Sequence, residues 1–142
     1  MDFTEVNMFY ASMYQAMGLL FIGSSFLLWV AMRVTSVLVE RNTDSIIAKV
    51  LAVVFGGAVT LNFVGVTAQM NYLLLQHGFA LKQLAATGVT SPTAEAFVAG
   101  LNLGDSLPEP SLTSNPVMLI VGLIALVFCI MPLFVPANSQ NA

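Results

Sequence analysis

The chain has 142 residues, of which 58% are hydrophobic and 8% are charged, and its formal net charge is −3. A soluble domain is roughly half apolar and about a quarter charged, so this composition excludes an ordinary soluble globule and, equally, a disordered chain. Four Lys and Arg residues are too few to meet the phosphates of a nucleic acid, and one cysteine cannot form an intrachain disulfide. The remaining class is an all-α integral membrane protein with a single membrane domain over 1–142.

Three uncharged stretches are long enough to cross a bilayer. They predict spans over about 8–32, 46–70 and 117–135. In lipid every backbone N–H needs a partner, which allows only helices or closed barrels, and continuous apolar runs favour helices over alternating barrel strands. Because the chain opens with Asp2 and Glu5 and not with positive charge, the first span is predicted to be permanent and not a cleaved signal peptide.

Helix start and stop signals surround the first two spans. Residues 34–41 contain no Gly or Pro, so the first helix is predicted to run unbroken from about Glu5 to Arg41. The side-chain oxygen of Thr43 or Asp44 is predicted to cap the second helix.

The loop 78–116 also contains helix start and stop signals. Ser91-Pro92 predicts a short extracytoplasmic helix over about 92–99, with Gly100 as its stop. This helix is expected to lie flat on the membrane or on the tops of the spans. Asn115-Pro116 is predicted to cap the third span.

The few cations predict an orientation. Arg33 and Arg41 lie between the first two spans and Lys49 lies in the first turn of the second, whereas the loop between the second and third spans has only Lys82. Because cytoplasmic loops carry the excess of Lys and Arg, the N-terminus is predicted to lie outside, the first loop inside, the second loop outside and the C-terminus inside. The expected location is the cell (inner) membrane.

Aromatic residues agree with this orientation, because Tyr and Trp are enriched at the two membrane–water interfaces. Tyr10, Tyr14 and Tyr72 fall near the predicted outer ends of the first two spans, and Trp29 falls near the inner end of the first.

No group of residues predicts a reaction. His77 is the only histidine and is interpreted as an interfacial ring, and Cys129 lies in apolar company where a thiol is inert. The eight methionines are interpreted as packing residues and not as copper ligands, because they form no Met-x-Met cluster. Apart from Lys49 in the first turn of the second span, the spans contain no Asp, Glu, Lys or Arg, which argues against an enzyme, a proton relay or an ion-selective pore. We therefore expect no catalytic residue, no metal and no cofactor other than contacting lipid.

The clearest pattern is a stripe on the second span, which we call the amide stripe. Its members are small or polar and follow one another at steps of 4, 3, 4, 3 and 4, so they share one helical face. They are Ala58, Asn62, Gly65, Gln69, Tyr72 and Gln76. Small residues let helices approach closely and amides hydrogen-bond across the contact, so this stripe is predicted to be a helix-packing face.

A second small-residue face on the same span lies at a different angle. It consists of Ala52, Gly56 and Thr60, which we call the small-residue face. Two contact faces suggest two neighbours, one within the chain and one outside it. The alternative is that both faces serve only the bundle formed by the chain's own three spans.

Two functions follow from these features. The first is a small non-catalytic subunit that packs into and stabilises a larger membrane protein assembly. The second is a self-assembling pore, holin-like or part of a secretion or conjugation channel. Three spans with the N-terminus outside are similar in topology to one class of holins, although those proteins usually end in a cationic tail and this chain does not. The expected partners are other membrane subunits or copies of the chain, and the lipid bilayer, with no nucleic acid.

Overall fold

The computed structural model describes residues 2–107 and 109–135. Within these ranges the chain forms only helices and connecting turns, with no strand. The elements are α1 (Phe3–Glu40), α2 (Ile46–Ala86), α3 (Pro92–Leu101), α4 (Pro116–Ile130) and a 3-10 turn (Met131–Leu133). Three helical segments, namely α1, α2 and Pro116–Leu133, are long and apolar enough to cross a membrane. The predicted all-helical class is confirmed, with three long apolar helices and one short one.

Helix α1 is unbroken from Phe3 to Glu40, which confirms the predicted continuous first helix. Its start is fixed by a capping box. The Asp2 carboxylate accepts a hydrogen bond from the Glu5 backbone N–H at 2.8 Å, and the Glu5 carboxylate accepts one from the Asp2 N–H at 2.9 Å. These two bonds satisfy donors that a helix start leaves unpaired.

The second helix differs from the prediction at both ends. Its cap is Ser45, whose hydroxyl accepts from the Ala48 N–H at 3.4 Å, so the expectation of Thr43 or Asp44 was wrong by one or two residues. The helix also continues to Ala86, well past position 78, where the outer loop was predicted to begin. Residues 79–86 are mostly strong helix formers, and the side chain of Leu81 is buried, so this extension is stabilised by packing.

Helix α3 begins as predicted and ends later. The Ser91 hydroxyl accepts from the Ala94 N–H at 3.2 Å, with Pro92 in the first turn. Gly100 lies inside the helix, so it is not the stop. Asn102 ends the helix in the left-handed conformation, with φ of 49°. Asparagine tolerates this conformation because its short amide can hydrogen-bond locally.

Helix α4 has the predicted cap. The Asn115 side-chain oxygen accepts from the Met118 N–H at 3.2 Å, with Pro116 next to it. The α-helix ends at Ile130, before the predicted limit of 135, and gives way to the 3-10 turn. Pro132 explains this change, because it has no N–H to donate into an α-helix. The uncharged tail beyond 135, predicted to lie inside, falls outside the described residues.

The three long helices form a bundle with two ends. The first-loop end carries residues 41–45, and the second-loop end carries residues 87–115, including α3. The main core lies between α1, α2 and α4 and consists of Leu28, Ala31, Val59, Phe63, Val64, Ala125 and Cys129. A smaller core at the second-loop end joins Val6, Leu81 and Ala94 from α1, α2 and α3.

Candidate functional site

The small-residue face of α2 lies against α4. Ala52, Gly56 and Thr60 are all buried. A methyl group at Gly56 would lie 3.1 Å from Cβ of Cys129, and one at Gly122 would lie 2.6 Å from Cγ2 of Val64. A side chain at Gly122 would overlap Val64, and one at Gly56 would require Cys129 to shift by a few tenths of an ångström, so the two helices pack closely here. This face makes the contact within the chain.

A buried hydrogen bond joins α1 to the same region. The Thr35 hydroxyl donates to the Cys129 carbonyl oxygen at 2.8 Å, and both residues are almost fully buried. In an apolar core a hydroxyl without a partner is costly, so this bond also fixes the position of α1 relative to α4.

The amide stripe has a different environment. Ala58, Asn62 and Gln69 are exposed, and Gly65, Tyr72 and Gln76 are partly buried. A methyl group at Gly65 would have no atom within 4 Å, so the stripe faces open space. Among residues 2–107 and 109–135, no hydrogen bond reaches the Asn62 amide. The part of the stripe at Ala58, Asn62 and Gln69 is thus left open by the chain's own helices, whereas Thr60 on the other face is covered.

The exposed surface of α2 changes along its length. Near the first-loop end it carries bulky apolar side chains, among them Ile47, Leu51 and Val54, with exposed fractions of 74%, 63% and 63%. From Ala58 onward the stripe carries small and amide side chains, with the exposed Leu61 beside it. Bulky apolar side chains suit contact with lipid chains, whereas small residues and amides suit contact with another helix.

The hydroxyl groups that could have joined the amides in a polar lining either bond a backbone carbonyl of their own helix or are buried inside the bundle. Ser24 and Thr67 are buried, and each donates to a backbone carbonyl of its own helix at 2.8 Å. Ser25 does the same at 2.7 Å, and Thr60 is buried facing α4. On α2, the amides of Asn62 and Gln69 remain exposed.

A polar network, which we call the histidine network, closes the second-loop end between α1 and α2. The Tyr14 hydroxyl lies 3.2 Å from Nδ1 of His77, and Nε2 of His77 lies 3.1 Å from Oδ1 of Asn7. The Asn7 amide nitrogen in turn donates to the Phe3 carbonyl oxygen at 2.9 Å. The Tyr10 ring stacks on the His77 ring, with centroids 4.5 Å apart and planes 15° apart.

The network has a defined direction. Because the Asn7 nitrogen is committed to the Phe3 carbonyl, its oxygen faces His77 and can only accept. In the neutral imidazole, Nε2 of His77 then carries the proton and donates to the Asn7 oxygen, and Nδ1 accepts from the Tyr14 hydroxyl. This is the pattern of a neutral imidazole with both ring nitrogens satisfied.

Beside the network lies an apolar pocket of about 300 Å³, which we call the ring pocket. Helices α1, α2 and α3 all contribute to it. Its lining is Phe3, Asn7, Tyr14, Leu74, His77, Leu81, Thr93, Ala94 and Phe97. Sequence reasoning missed this pocket. The sequence places Tyr14 and His77 at the same predicted membrane interface, but this does not predict that their side chains contact each other.

A lysine holds the loop that follows α3. Lys82 Nζ donates to the Gly104 carbonyl oxygen at 2.7 Å and lies 3.3 Å from the Asp105 carboxylate. Leu101 and Leu103 lie against Gly78, where a methyl group would clash with them. Together these contacts seat α3 and its loop on the end of α2.

The described residues contain no group of three or more His, Cys, Asp or Glu side chains that could hold a metal ion. Comparison with known protein families, with characterised proteins and with solved structures found no match for this chain. The function must therefore be argued from the surfaces described above.

Proposed function

We propose that this chain is a small non-catalytic multi-pass subunit of the cell (inner) membrane that packs into and stabilises a larger membrane protein assembly. The amide stripe is the contact surface. The single observation that carries the proposal is that Ala58, Asn62 and Gln69 of this stripe stay exposed after the chain's own three long helices have packed.

Asn62 lies deep in the bundle and its amide needs a hydrogen-bond partner. Gly122 lies near the middle of Pro116–Leu133, and a methyl group there would lie 2.6 Å from Val64 and 3.5 Å from Thr60. Asn62 lies between these two positions in sequence, so it is close to the midpoint of the bundle. An amide at that depth facing hydrocarbon loses its water partners and gains nothing, whereas a neighbouring helix can supply a carbonyl, a hydroxyl or another amide.

The stripe also provides the shape that a neighbour needs. Ala58 and Gly65 flank Asn62 by about one turn each, and the open space at Gly65 lets a second backbone come close. Close approach increases the van der Waals contact that drives helix association in lipid.

The self-assembling pore is the second candidate function. It needs a continuous polar lining, and its favouring observation is that Asn62 and Gln69 are both exposed on one face. The burial of Ser24, Thr60 and Thr67 leaves too few polar groups for a wet path, and we therefore rank the subunit first.

Photo-crosslinking in the native membrane tests the proposal. A photoreactive side chain placed at Asn62 should give a discrete adduct with another protein, and one placed at the exposed Leu123 of α4 should give lipid adducts only. An adduct between position 62 and a second copy of the chain would contradict the subunit proposal and favour the self-assembling pore. Lipid adducts alone at both positions would refute the packing role.

The orientation is tested separately. We propose that the N-terminus and the second loop lie outside and the first loop inside, because Arg33, Arg41 and Lys49 cluster at the first-loop end. An Asp44→Cys variant should react with a membrane-impermeant maleimide only after the cells are opened, because the first loop is proposed to lie inside. Native Cys129 is fully buried and should add no background labelling. Reaction in intact cells would reverse the orientation.

A further inference from the structure

The ring pocket offers ring surfaces and few free polar atoms. Four of its lining side chains are the rings of Phe3, Tyr14, His77 and Phe97, and none of its lining residues is charged. The His77 ring centroid lies 5.8 Å from that of Tyr14 and 5.4 Å from that of Phe97. The polar atoms of His77, Tyr14 and Asn7 already bond one another in the histidine network.

The charge around this end of the bundle favours a cation. It carries five carboxylates and one lysine, namely Asp2, Glu5, Glu95, Asp105, Glu109 and Lys82. Lys82 is occupied by the loop after α3. Among the described residues at this end, carboxylates outnumber cations and the one lysine is engaged, so a cation approaching the pocket would be attracted.

The kind of cation follows from the lining. An ammonium or guanidinium group brings three or more N–H donors that need acceptors, and the lining offers few: the Asn7 oxygen already bonds His77, and what remains are the hydroxyl oxygens of Tyr14 and Thr93. Buried without partners, those donors would be costly. A trimethylammonium group has no N–H, and its positive charge is attracted to the faces of aromatic rings.

The depth of the pocket indicates where such a group would come from. Fifteen residues separate Asn62 from His77, which in an α-helix is roughly 23 Å. The hydrocarbon of a bilayer ends about 15 Å from the midplane, and the headgroups end at about 20–22 Å. With Asn62 near the midplane, the edge of the pocket at Leu74, twelve residues and roughly 18 Å away, lies among the headgroups, and His77 lies at their outer boundary.

We propose that the ring pocket binds the trimethylammonium headgroup of a choline-type lipid in the outer leaflet. This inference rests on the proposed placement in a membrane and not on the proposed partner at the amide stripe. The rings supply the attraction, the acidic surroundings favour the positive charge, and α3 forms one wall of the pocket.

A lipid-retention experiment tests the proposal on the full chain. The protein is reconstituted in vesicles of equal parts phosphatidylcholine, phosphatidylethanolamine and phosphatidylglycerol. It is then extracted in a mild nonionic detergent, and the lipids that remain bound are quantified by mass spectrometry. We expect phosphatidylcholine to be enriched over phosphatidylethanolamine by roughly three- to tenfold, the range of one or two cation–π contacts.

Matched variants locate the effect. Phe97→Leu keeps an apolar side chain but removes a ring, and should return the retained lipid to the bulk ratio, while Phe97→Trp should keep the enrichment. Phe128→Leu is the control, because Phe128 is exposed on α4 and distant in sequence from every residue of the pocket. Equal loss in Phe128→Leu, or no enrichment in the unmodified chain, would overturn the proposal.

A soluble probe separates charge from shape. Choline and its neutral analogue 3,3-dimethylbutan-1-ol have similar shape, and binding of each is followed by the NMR signals of the His77 ring in the detergent-solubilised chain. Choline should bind at least severalfold more tightly. Equal binding would show a purely apolar pocket that accepts lipid tails, and no response to choline would show that the pocket does not recognise this headgroup. Either result would overturn the assignment, and neither would affect the crosslinking test at Asn62.

Discussion

Helix α2 presents two small-residue surfaces, one covered by another helix of the chain and one exposed. The small-residue face is closed by α4, with Gly56 against Cys129 and Gly122 against Val64. The amide stripe is open, with Asn62 exposed and empty space beside Gly65. Both surfaces follow the spacing that brings side chains to one side of a helix, so spacing alone does not distinguish a satisfied contact from an unsatisfied one.

The difference lies in what each surface offers a neighbour. The closed face is small and apolar apart from Thr60, and α4 packs closely on it, leaving the Thr60 hydroxyl buried with no hydrogen-bond partner among the described residues. The open stripe adds amides, which packing alone does not satisfy in an apolar solvent. A surface that still needs hydrogen-bond partners after folding indicates a contact that forms after folding.

The largest effect on stability is expected when a glycine in the contact between α2 and α4 is replaced by a bulky side chain. Gly122→Leu should lower the free energy of unfolding by about 3 kcal/mol, because the added side chain overlaps Val64 where a methyl group would already lie 2.6 Å away. Gly65→Leu makes the same chemical change on the open stripe and should leave the isolated chain as stable or slightly more so. Thermal or denaturant unfolding of the purified chain in detergent measures both. Equal loss in the two variants would contradict the distinction between the faces.

The next effect concerns association. Asn62→Leu should weaken binding of the chain to its partner by roughly tenfold, which corresponds to about 1.4 kcal/mol, because bulk replaces a hydrogen-bonding group in a close contact. Asn62→Ala should cost less, about 1 kcal/mol or below. The yield of partner co-purified from native membranes measures the change, with unfolding of each isolated variant as the control. A loss of stability in the isolated Asn62→Leu chain would mean that the stripe is part of the chain's own packing.

A smaller effect is expected in the histidine network. Tyr14→Phe should cost about 1 kcal/mol of unfolding free energy, because Nδ1 of His77 loses its donor. His77→Phe should cost a similar amount, and the double variant should cost less than the sum, because the two side chains share one hydrogen bond. A double-mutant cycle of unfolding free energies checks this. Strict additivity would show that Tyr14 and His77 do not interact.

The smallest effect is expected at Lys82. Lys82→Met keeps the aliphatic stem but removes the bonds to the loop after α3, and should cost below about 1 kcal/mol because the ion pair with Asp105 is largely exposed. Its signature is local, namely faster amide hydrogen exchange at residues 102–105. Asp105→Asn is the control and should change exchange less, because the closest contact of Lys82 is to the Gly104 carbonyl. Unchanged exchange in Lys82→Met would show that the loop is held by Leu101 and Leu103 alone.

Much of the fold was predictable because it depends on local properties. The three long apolar helices follow from uncharged runs, and the cap of α4 follows from Asn115 followed by Pro116. The ends of α2 were not predictable to the residue. Ser45, Thr43 and Asp44 are all good caps, and the extension to Ala86 depends on Leu81 packing against α1 and α3.

The candidate sites divide in the same way. The sequence by itself determined that α2 has two small-residue surfaces, because helical periodicity is a local property of the chain. Only the tertiary structure decided that α4 covers Gly56 and not Gly65, and that Tyr14 meets His77 across 63 positions of sequence. Such pairings depend on how whole helices rotate and slide to bury the most surface, and no short segment encodes that choice.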